Sequence, residues 1–195
     1  MSKIKKIGVF GGTFDPIQYA HLRIAQESYE IFGLDKILFI PCNSPNNGKT
    51  NISSAAHRYN MLKLAIQDSY HFDISDMEIQ RSGISYTIDT LNHLKKENIE
   101  IYLIMGYDEV KIFDKWKDPD KIAEISNKLV GVWRGPRCIV GEENNLIEKY
   151  NFHMLDIDIN ISSTIIREKV SKGFSIKYLT PDNVIKYIDN QCLYK

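Results

Sequence analysis

Residues suited to binding phosphate lie close together near the N-terminus, in the stretch Gly-Gly-Thr-Phe-Asp-Pro-Ile-Gln-Tyr-Ala-His at 11–21. Gly11 and Gly12 carry no side chain, so the backbone can approach a ligand closely and point its N–H groups at it. A helix that begins beside them adds a partial positive charge. His21 can face the same point and handle negative charge. The stretch therefore favours the binding of a phosphate group.

A second set of such residues lies near the C-terminus. Ser162, Ser163 and Thr164 follow a predicted strand and open a predicted helix, so hydroxyl groups and free amides crowd the helix N-terminus. Arg167 lies one turn further along and adds a permanent, forked cation. Serine and threonine are also common helix caps, and the run taken alone is more simply a cap. Together with the stretch at 11–21, it favours a second anion-binding segment.

The rest of the chain must hold these two segments in place. An apolar run at 4–10 predicts a buried strand before the first, and Leu22, Ala25, Tyr29 and Phe32 follow it at the spacing of one helix face. Apolar runs then alternate with helical stripes, which predicts an α/β three-layer domain with a mostly parallel sheet covered on both faces. Further strands are predicted at 36–40, 72–79, 101–105, 128–133 and 152–157, and helices from Ser53 or Ser54, Ser85, Ser162 and Thr180–Pro181.

Length and composition favour a small globular domain and argue against several other classes of protein. With 195 residues and no linker or repeat, the chain is predicted to form a single domain over 1–195. Its 25 basic and 25 acidic residues cancel, which argues against binding a nucleic-acid polymer. The apolar run near the N-terminus is too short for a signal peptide or a membrane span. The scattered Cys42, Cys138 and Cys192 favour neither disulfides nor a zinc site. A cytoplasmic protein, monomeric or homo-oligomeric and without a membrane partner, fits best.

Four motifs in order give the chain a family resemblance. Residues 11–21 resemble the HxGH-type nucleotidyltransferases, and their Gly-Gly-Thr-Phe-Asp-Pro-Ile form is similar to the bacterial nicotinate-mononucleotide adenylyltransferases. Ser-Tyr-Thr-Ile-Asp-Thr at 85–90, Lys-Trp at 115–116 and Ile-Ser-Ser-Thr-Ile-Ile-Arg at 161–167 are similar to further signatures of that family. The resemblance implies a Rossmann-like fold. It also implies a nucleotidyltransferase of NAD biosynthesis that moves AMP from ATP to nicotinate mononucleotide, giving deamido-NAD and pyrophosphate. It also implies that Mg²⁺ arrives with ATP rather than in a protein metal site.

The resemblance further implies which residues form the site. His21, Arg167 and the residue at position 18 are the implied catalytic set. The implied ATP-binding residues are Gly11, Gly12, Thr13, Phe14, Asp15, Gly106, Asp108, Ser162, Ser163, Thr164 and Arg167. The implied residues for nicotinate mononucleotide are Tyr86 and Thr87, whose backbone groups hold the carboxylate, and Trp116, which stacks on the ring. Arg134 and Lys49 are weaker candidates, because the sequence around each departs from the family pattern.

Two departures fall inside the first motif. Gln18 stands where the family has its first histidine, and Ala20 stands where it has glycine. A glutamine amide can donate a hydrogen bond to phosphate but cannot become a cation as histidine can. We expect Gln18 beside the ATP phosphates and expect Gln18→His to raise kcat. Two alternatives stay open: an adenylyltransferase preferring nicotinamide mononucleotide, and a catalytically impaired nucleotide-binding protein.

Overall fold

A computed structural model describes residues 5–44, 52–81, 83–95, 99–133 and 143–195 of the chain. The strands are β1 (Lys5–Gly12), β2 (Lys36–Pro41), β3 (Phe72–Ile74), β4 (Ile99–Gly106), β5 (Lys128–Trp133) and β6 (His153–Asp156). The helices are α1 (Tyr19–Phe32), α2 (Ala55–Ile66), α3 (Met77–Arg81), α4 (Thr87–Leu94), α5 (Tyr107–Val110), α6 (Pro119–Ile125), α7 (Glu143–Lys149), α8 (Ser163–Ser171) and α9 (Asp182–Asn190), with a 3₁₀ turn at Phe113–Lys115.

The six strands form one sheet in the order β3-β2-β1-β4-β5-β6, and every neighbouring pair is parallel. The chain builds outward from β1 to β3, returns to the centre as β4 and builds outward again to β6. The strand order therefore reverses between β1 and β4, which pair directly. Doubly wound sheets bind ligands in the crevice outside the carboxyl ends of the strands at such a point. The topology thus predicts a ligand site immediately after Gly12 and Gly106.

Successive side chains of each central strand point to opposite faces of the sheet and belong to two separate hydrophobic cores. Phe10 and Ile104 belong to a buried cluster that includes residues of α1, α2, α8 and α9. Val9 and Leu103 belong to a second buried cluster that includes residues of α4 and α6. Helices thus cover both faces of the sheet, and the predicted three-layer Rossmann-like architecture is confirmed.

Most predicted element boundaries are close to the observed ones. Gly33 ends α1 with a φ of 56°, a left-handed conformation that costs glycine little. The side chain of Ser54 caps α2 by accepting from the His57 amide, and Ser162 caps α8 by accepting from the Ile165 amide. No helix among the described residues is both long and apolar enough to cross a membrane.

Three local predictions need correction. The strand predicted at 72–79 ends at Ile74 and is followed by the short helix α3. Ser85 does not cap α4, because its Oγ accepts a hydrogen bond from the Asn43 amide (3.0 Å) and the cap position is Tyr86. Thr180 does not cap α9, because its hydroxyl donates to the Ile17 carbonyl oxygen (2.7 Å). Both hydroxyls bond to residues far away in the sequence, which local patterns cannot reveal.

Candidate active site

A cavity of about 700 Å³ opens where the strand order reverses. Its walls come from the ends of β1, β2 and β4 and from the first turns of α4 and α8. Most residues predicted to form the site line this one cavity: Gly11, Gly12, Thr13, Phe14, Asp15, His21, Tyr86, Thr87, Gly106, Asp108, Trp116, Ser162, Ser163, Thr164 and Arg167. Lys49 and Arg134 lie outside the described residues, so their roles stay predictions.

The two predicted anion-binding segments contact each other directly. The Ser163 hydroxyl donates to the Pro16 carbonyl oxygen (2.8 Å), and the Arg167 guanidinium donates to the Asp15 carbonyl oxygen (2.7 Å). These bonds join residues about 150 positions apart in the sequence. The turn after β1 and the N-terminus of α8 therefore form one continuous wall, which brings the N–H groups of a glycine-rich turn and a helix start to the same side of the cavity.

The Arg167 side chain is half-buried in that wall and held at two points. Besides the Asp15 carbonyl oxygen, it donates to the Thr164 hydroxyl (3.3 Å). A guanidinium has five N–H donors in a fixed fork, so these two bonds leave donors for a ligand. The His21 ring is held from another side, since it packs edge-on against Phe14 with ring centroids 5.1 Å apart. Both basic side chains are therefore preorganised at the cavity.

Gln18 is the predicted catalytic residue that does not line the cavity. Its side chain is fully buried at the N-cap of α1. The amide oxygen accepts from the Ala20 N–H, and the amide nitrogen donates to the Ile161 carbonyl oxygen (3.0 Å). The side chain therefore lies within the wall rather than beside a phosphate position, which corrects the expectation from the sequence. It caps the helix that follows the first predicted anion-binding segment and bonds to Ile161, the residue before the second.

The opposite side of the cavity carries the residues predicted to hold the pyridine ring. Tyr86 and Thr87 open α4. The Asp89 amide donates to the Tyr86 carbonyl oxygen (3.1 Å), whereas the two amides before it have no carbonyl within the helix to reach. Trp116 is half-buried and packs against Phe113, with ring centroids 5.3 Å apart. Lys117 also lines the cavity, and its ammonium lies 4.6 Å from the centre of the Tyr86 ring. Sequence patterns did not identify Lys117 as a site residue, although it directly follows Trp116, the predicted stacking residue.

The two predicted aspartates differ in exposure. Asp108 lies in α5, the short helix directly after β4, and its side chain is 82% exposed and 3.2 Å from the Lys111 ammonium. Asp15 is 2% exposed, and its carboxylate accepts hydrogen bonds from the Tyr194 hydroxyl and the Ser53 amide. Asp108 is thus free to meet solvent or ligand, whereas the Asp15 carboxylate is already engaged by protein groups.

Arg58 is a buried residue of the site's framework that sequence patterns did not single out. Its side chain is fully buried and donates to three backbone carbonyl oxygens, those of Ser53 (3.0 Å), Thr13 (2.9 Å) and Asn43 (2.9 Å). It thereby holds together the turn after β1 and the two described ends of the connection between β2 and α2. The sequence did carry an indication that Arg58 is buried, because Arg58 shares a helix face with the apolar Met61 and Leu62 at the i+3 and i+4 positions.

Cys42 lines the cavity and lies close to Arg58. Its thiol lies 3.9 Å from the Arg58 guanidinium and 4.0 Å from the Thr13 hydroxyl. Burial raises the pKa of the Cys42 thiol, and the positive charge of Arg58 offsets only part of that effect. The thiol is therefore neutral near pH 7, because a thiol stays protonated below its pKa.

Comparisons with known proteins agree with this geometry. The cytidylyltransferase-like family model matches residues 9–169. A protein of Dictyoglomus turgidum named "Probable nicotinate-nucleotide adenylyltransferase" is 40% identical, with 97% of this chain and 95% of the relative covered. A Clostridium botulinum protein of the same name is 38% identical, with 98% and 99% covered. The solved Plasmodium falciparum nicotinic acid mononucleotide adenylyltransferase complexed with NaAD is 25% identical over 97% of both chains, with a TM-score of 0.82.

Proposed function

Because the chain belongs to the nicotinate-nucleotide adenylyltransferase family, we propose that it transfers AMP from ATP to nicotinate mononucleotide, giving deamido-NAD and pyrophosphate. The observation that carries the proposal is the single cavity that joins two anion-binding segments to an aromatic, helix-start pocket. The anion-binding segments suit the phosphates of ATP, and the pocket at Tyr86, Thr87 and Trp116 suits a pyridine ring that bears a carboxylate.

The reaction needs little covalent help from the protein. A phosphate oxygen of the mononucleotide forms a bond to the α-phosphorus of ATP, and the bond from that phosphorus to the pyrophosphate oxygen breaks. Because the attacking oxygen is already an anion, no general base is required. Catalysis then rests on positioning and on stabilising the charge that develops on the pyrophosphate. The amides of Gly11–Phe14, His21 and the N-terminus of α8 with Arg167 are the groups proposed for this work.

Magnesium fits this cavity as an ion carried by the nucleotide. Among the described residues, no group of three His, Cys, Asp or Glu side chains is arranged to hold a metal. The buried carboxylate of Asp15 is bonded to protein donors, while the exposed Asp108 can approach the nucleotide. Mg²⁺ prefers octahedral oxygen ligands and usually keeps several waters beside phosphates. When bound, the ion would neutralise phosphate charge, and Asp108, an exposed carboxylate of the cavity lining, would be able to contribute an oxygen ligand.

The acid mononucleotide should be a better acceptor than the amide. The free amides that open α4 and the helix dipole favour a carboxylate over a neutral carboxamide. We expect kcat/KM for nicotinate mononucleotide to exceed that for nicotinamide mononucleotide by about 10-fold, or roughly 1.4 kcal/mol. Pyrophosphate release with ATP and each acceptor in turn measures the ratio. Equal efficiencies would contradict the assignment of the ring pocket and support the amide-using alternative.

We expect Gln18 to influence the reaction by holding the cavity wall in place rather than by contact with phosphate. Gln18→Leu keeps the side-chain bulk but removes an N-cap and the bond to Ile161. We expect it to lower the free energy of unfolding by about 1–3 kcal/mol. Gln18→His has no path to a phosphate from the buried position, so kcat should change by less than about threefold, roughly 0.7 kcal/mol.

Steady-state kinetics and urea unfolding of both variants check these values. The exposed Gln67→His provides a control for the new imidazole. If turnover by Gln18→His were faster by about tenfold or more, position 18 would have to reach the phosphates, as the sequence alone suggested. That result would also support the view that the natural chain is a slowed, nucleotide-binding form of the enzyme.

A further inference from the structure

The last turn of the chain reaches the wall of the proposed ATP site. The Tyr194 hydroxyl donates to Oδ1 of Asp15 at 2.6 Å, across 179 positions of sequence. The second carboxylate oxygen, Oδ2, accepts from the Ser53 amide at 3.2 Å. Because Asp15 is 2% exposed, these two donors replace water around its carboxylate. Neither the motifs nor the proposed reaction gives Tyr194 a role.

The phenol is a fixed donor in this contact. Burial and the negative charge of Asp15 raise the pKa of the Tyr194 hydroxyl well above its usual range. The hydroxyl therefore keeps its proton wherever the protein is folded at ordinary pH. A hydrogen bond to a charged carboxylate is stronger than one between neutral groups, so Asp15 is held firmly on this side.

The backbone around Tyr194 adopts unfavourable angles to make the contact. Cys192 has a φ of 49° and Tyr194 a φ of 64°, and both residues carry side chains that disfavour the left-handed region. Such angles persist where the surrounding contacts over-determine them. The Leu193 amide donates to the Ile188 carbonyl oxygen (3.0 Å), which turns the chain back over α9. The last turn thus brings the Tyr194 side chain to Asp15 through two left-handed residues.

Asp15 links Tyr194 to a side chain that lines the cavity. Its carboxylate is fixed by Tyr194, and its own carbonyl oxygen accepts the 2.7 Å hydrogen bond from Arg167. Arg167 lines the cavity and also contacts Thr164. A shift of Asp15 would therefore move one of the two protein groups that hold the guanidinium in place. Misplacing such a group by even a small distance weakens its interaction with a ligand.

We propose that Tyr194 is a positioning residue for triphosphate binding: it holds Asp15, and Asp15 in turn holds the Arg167 guanidinium at the phosphate side of the cavity. This inference rests on the proposed function only for the identity of the nucleotide. The affinity of the full chain for a non-hydrolysable ATP analogue tests it separately, because that affinity needs neither the acceptor nor the AMP-transfer step.

The test compares Tyr194→Phe with Tyr187→Phe in the 195-residue chain. Tyr187 is a suitable control because its hydroxyl also bonds to protein groups, accepting from Asn60 (3.1 Å) and contacting His57 (3.0 Å). We expect Tyr194→Phe to weaken analogue binding by about 3-fold to 10-fold, typical of coupling within one hydrogen-bond network. The KM for nicotinate mononucleotide should stay within about twofold. Tyr187→Phe should leave analogue binding unchanged while lowering the thermal midpoint.

A double variant separates positioning from general loss of stability. In an Arg167→Ala background, Tyr194→Phe should have no further effect on analogue binding, because its route to the ligand has been removed. An equal loss in both backgrounds would overturn the proposal, as would unchanged binding in Tyr194→Phe alone. If the analogue binds as expected but no deamido-NAD forms, the proposed function fails while the role of Tyr194 stands.

Discussion

Arg167→Ala is expected to lower kcat/KM for ATP by about 30-fold to 1000-fold, equivalent to about 2–4 kcal/mol of transition-state stabilisation. The guanidinium lines the cavity and is fixed by the Asp15 carbonyl oxygen and the Thr164 hydroxyl. It can therefore meet the developing charge on pyrophosphate without first having to be oriented. Since that charge grows in the transition state, kcat should fall along with the affinity for ATP.

Steady-state kinetics with saturating nicotinate mononucleotide measure this loss. Arg23→Ala is the matched control, because Arg23 lies on the surface of α1 and pairs only locally with Glu27 (2.6 Å). Circular dichroism establishes that both variants are folded. A folded Arg167→Ala protein with unchanged kcat/KM would remove Arg167 from the catalytic site and leave it as a tie between two loops.

Arg58→Met is expected to lower the free energy of unfolding by about 3–5 kcal/mol, the range for breaking a buried charged network. Methionine fills part of the space but donates no hydrogen bond. The carbonyl oxygens of Ser53, Thr13 and Asn43 would then lose a buried donor, and each unsatisfied group costs about 1–3 kcal/mol. The loss falls on the turn after β1 and on the connection between β2 and α2, which line or support the cavity.

Urea unfolding of the Arg58 variant measures that cost. Lys63→Met on the exposed side of the same helix is the control, since it removes a cation without removing a buried partner. A change of less than about 1 kcal/mol for Arg58→Met would mean that water replaces the guanidinium at the three carbonyls. The loops would then be held by other contacts.

Local sequence patterns were sufficient for most strands, the α/β class and several helix ends. Gly33, Ser54 and Ser162 act within a few residues of their own positions, so their roles can be read from spacing alone. The motif residues were also brought together as expected, because the carboxyl ends of β1 and β4 are neighbours in a parallel sheet. Sequence order and sheet topology together therefore locate the cavity.

Side-chain direction inside the site was harder to predict. Whether Gln18 faces a ligand or the wall depends on Ile161, which lies 143 positions away. The Asp15 carboxylate is engaged by Tyr194 at the far end of the chain. The spacing of residues within a motif carries no information about such distant partners. The fold therefore follows from local periodicity, whereas the division of the motif into ligand-facing and framework residues requires the tertiary structure.

Product analysis tests the central claim most directly. The purified 195-residue chain is incubated with ATP, nicotinate mononucleotide and Mg²⁺, and both products are followed by chromatography. The proposed function predicts deamido-NAD and pyrophosphate in equal amounts, each dependent on both substrates. A related adenylyltransferase assayed under the same conditions is the positive control. If that enzyme is active while this chain binds ATP but forms no deamido-NAD, the proposed function is contradicted.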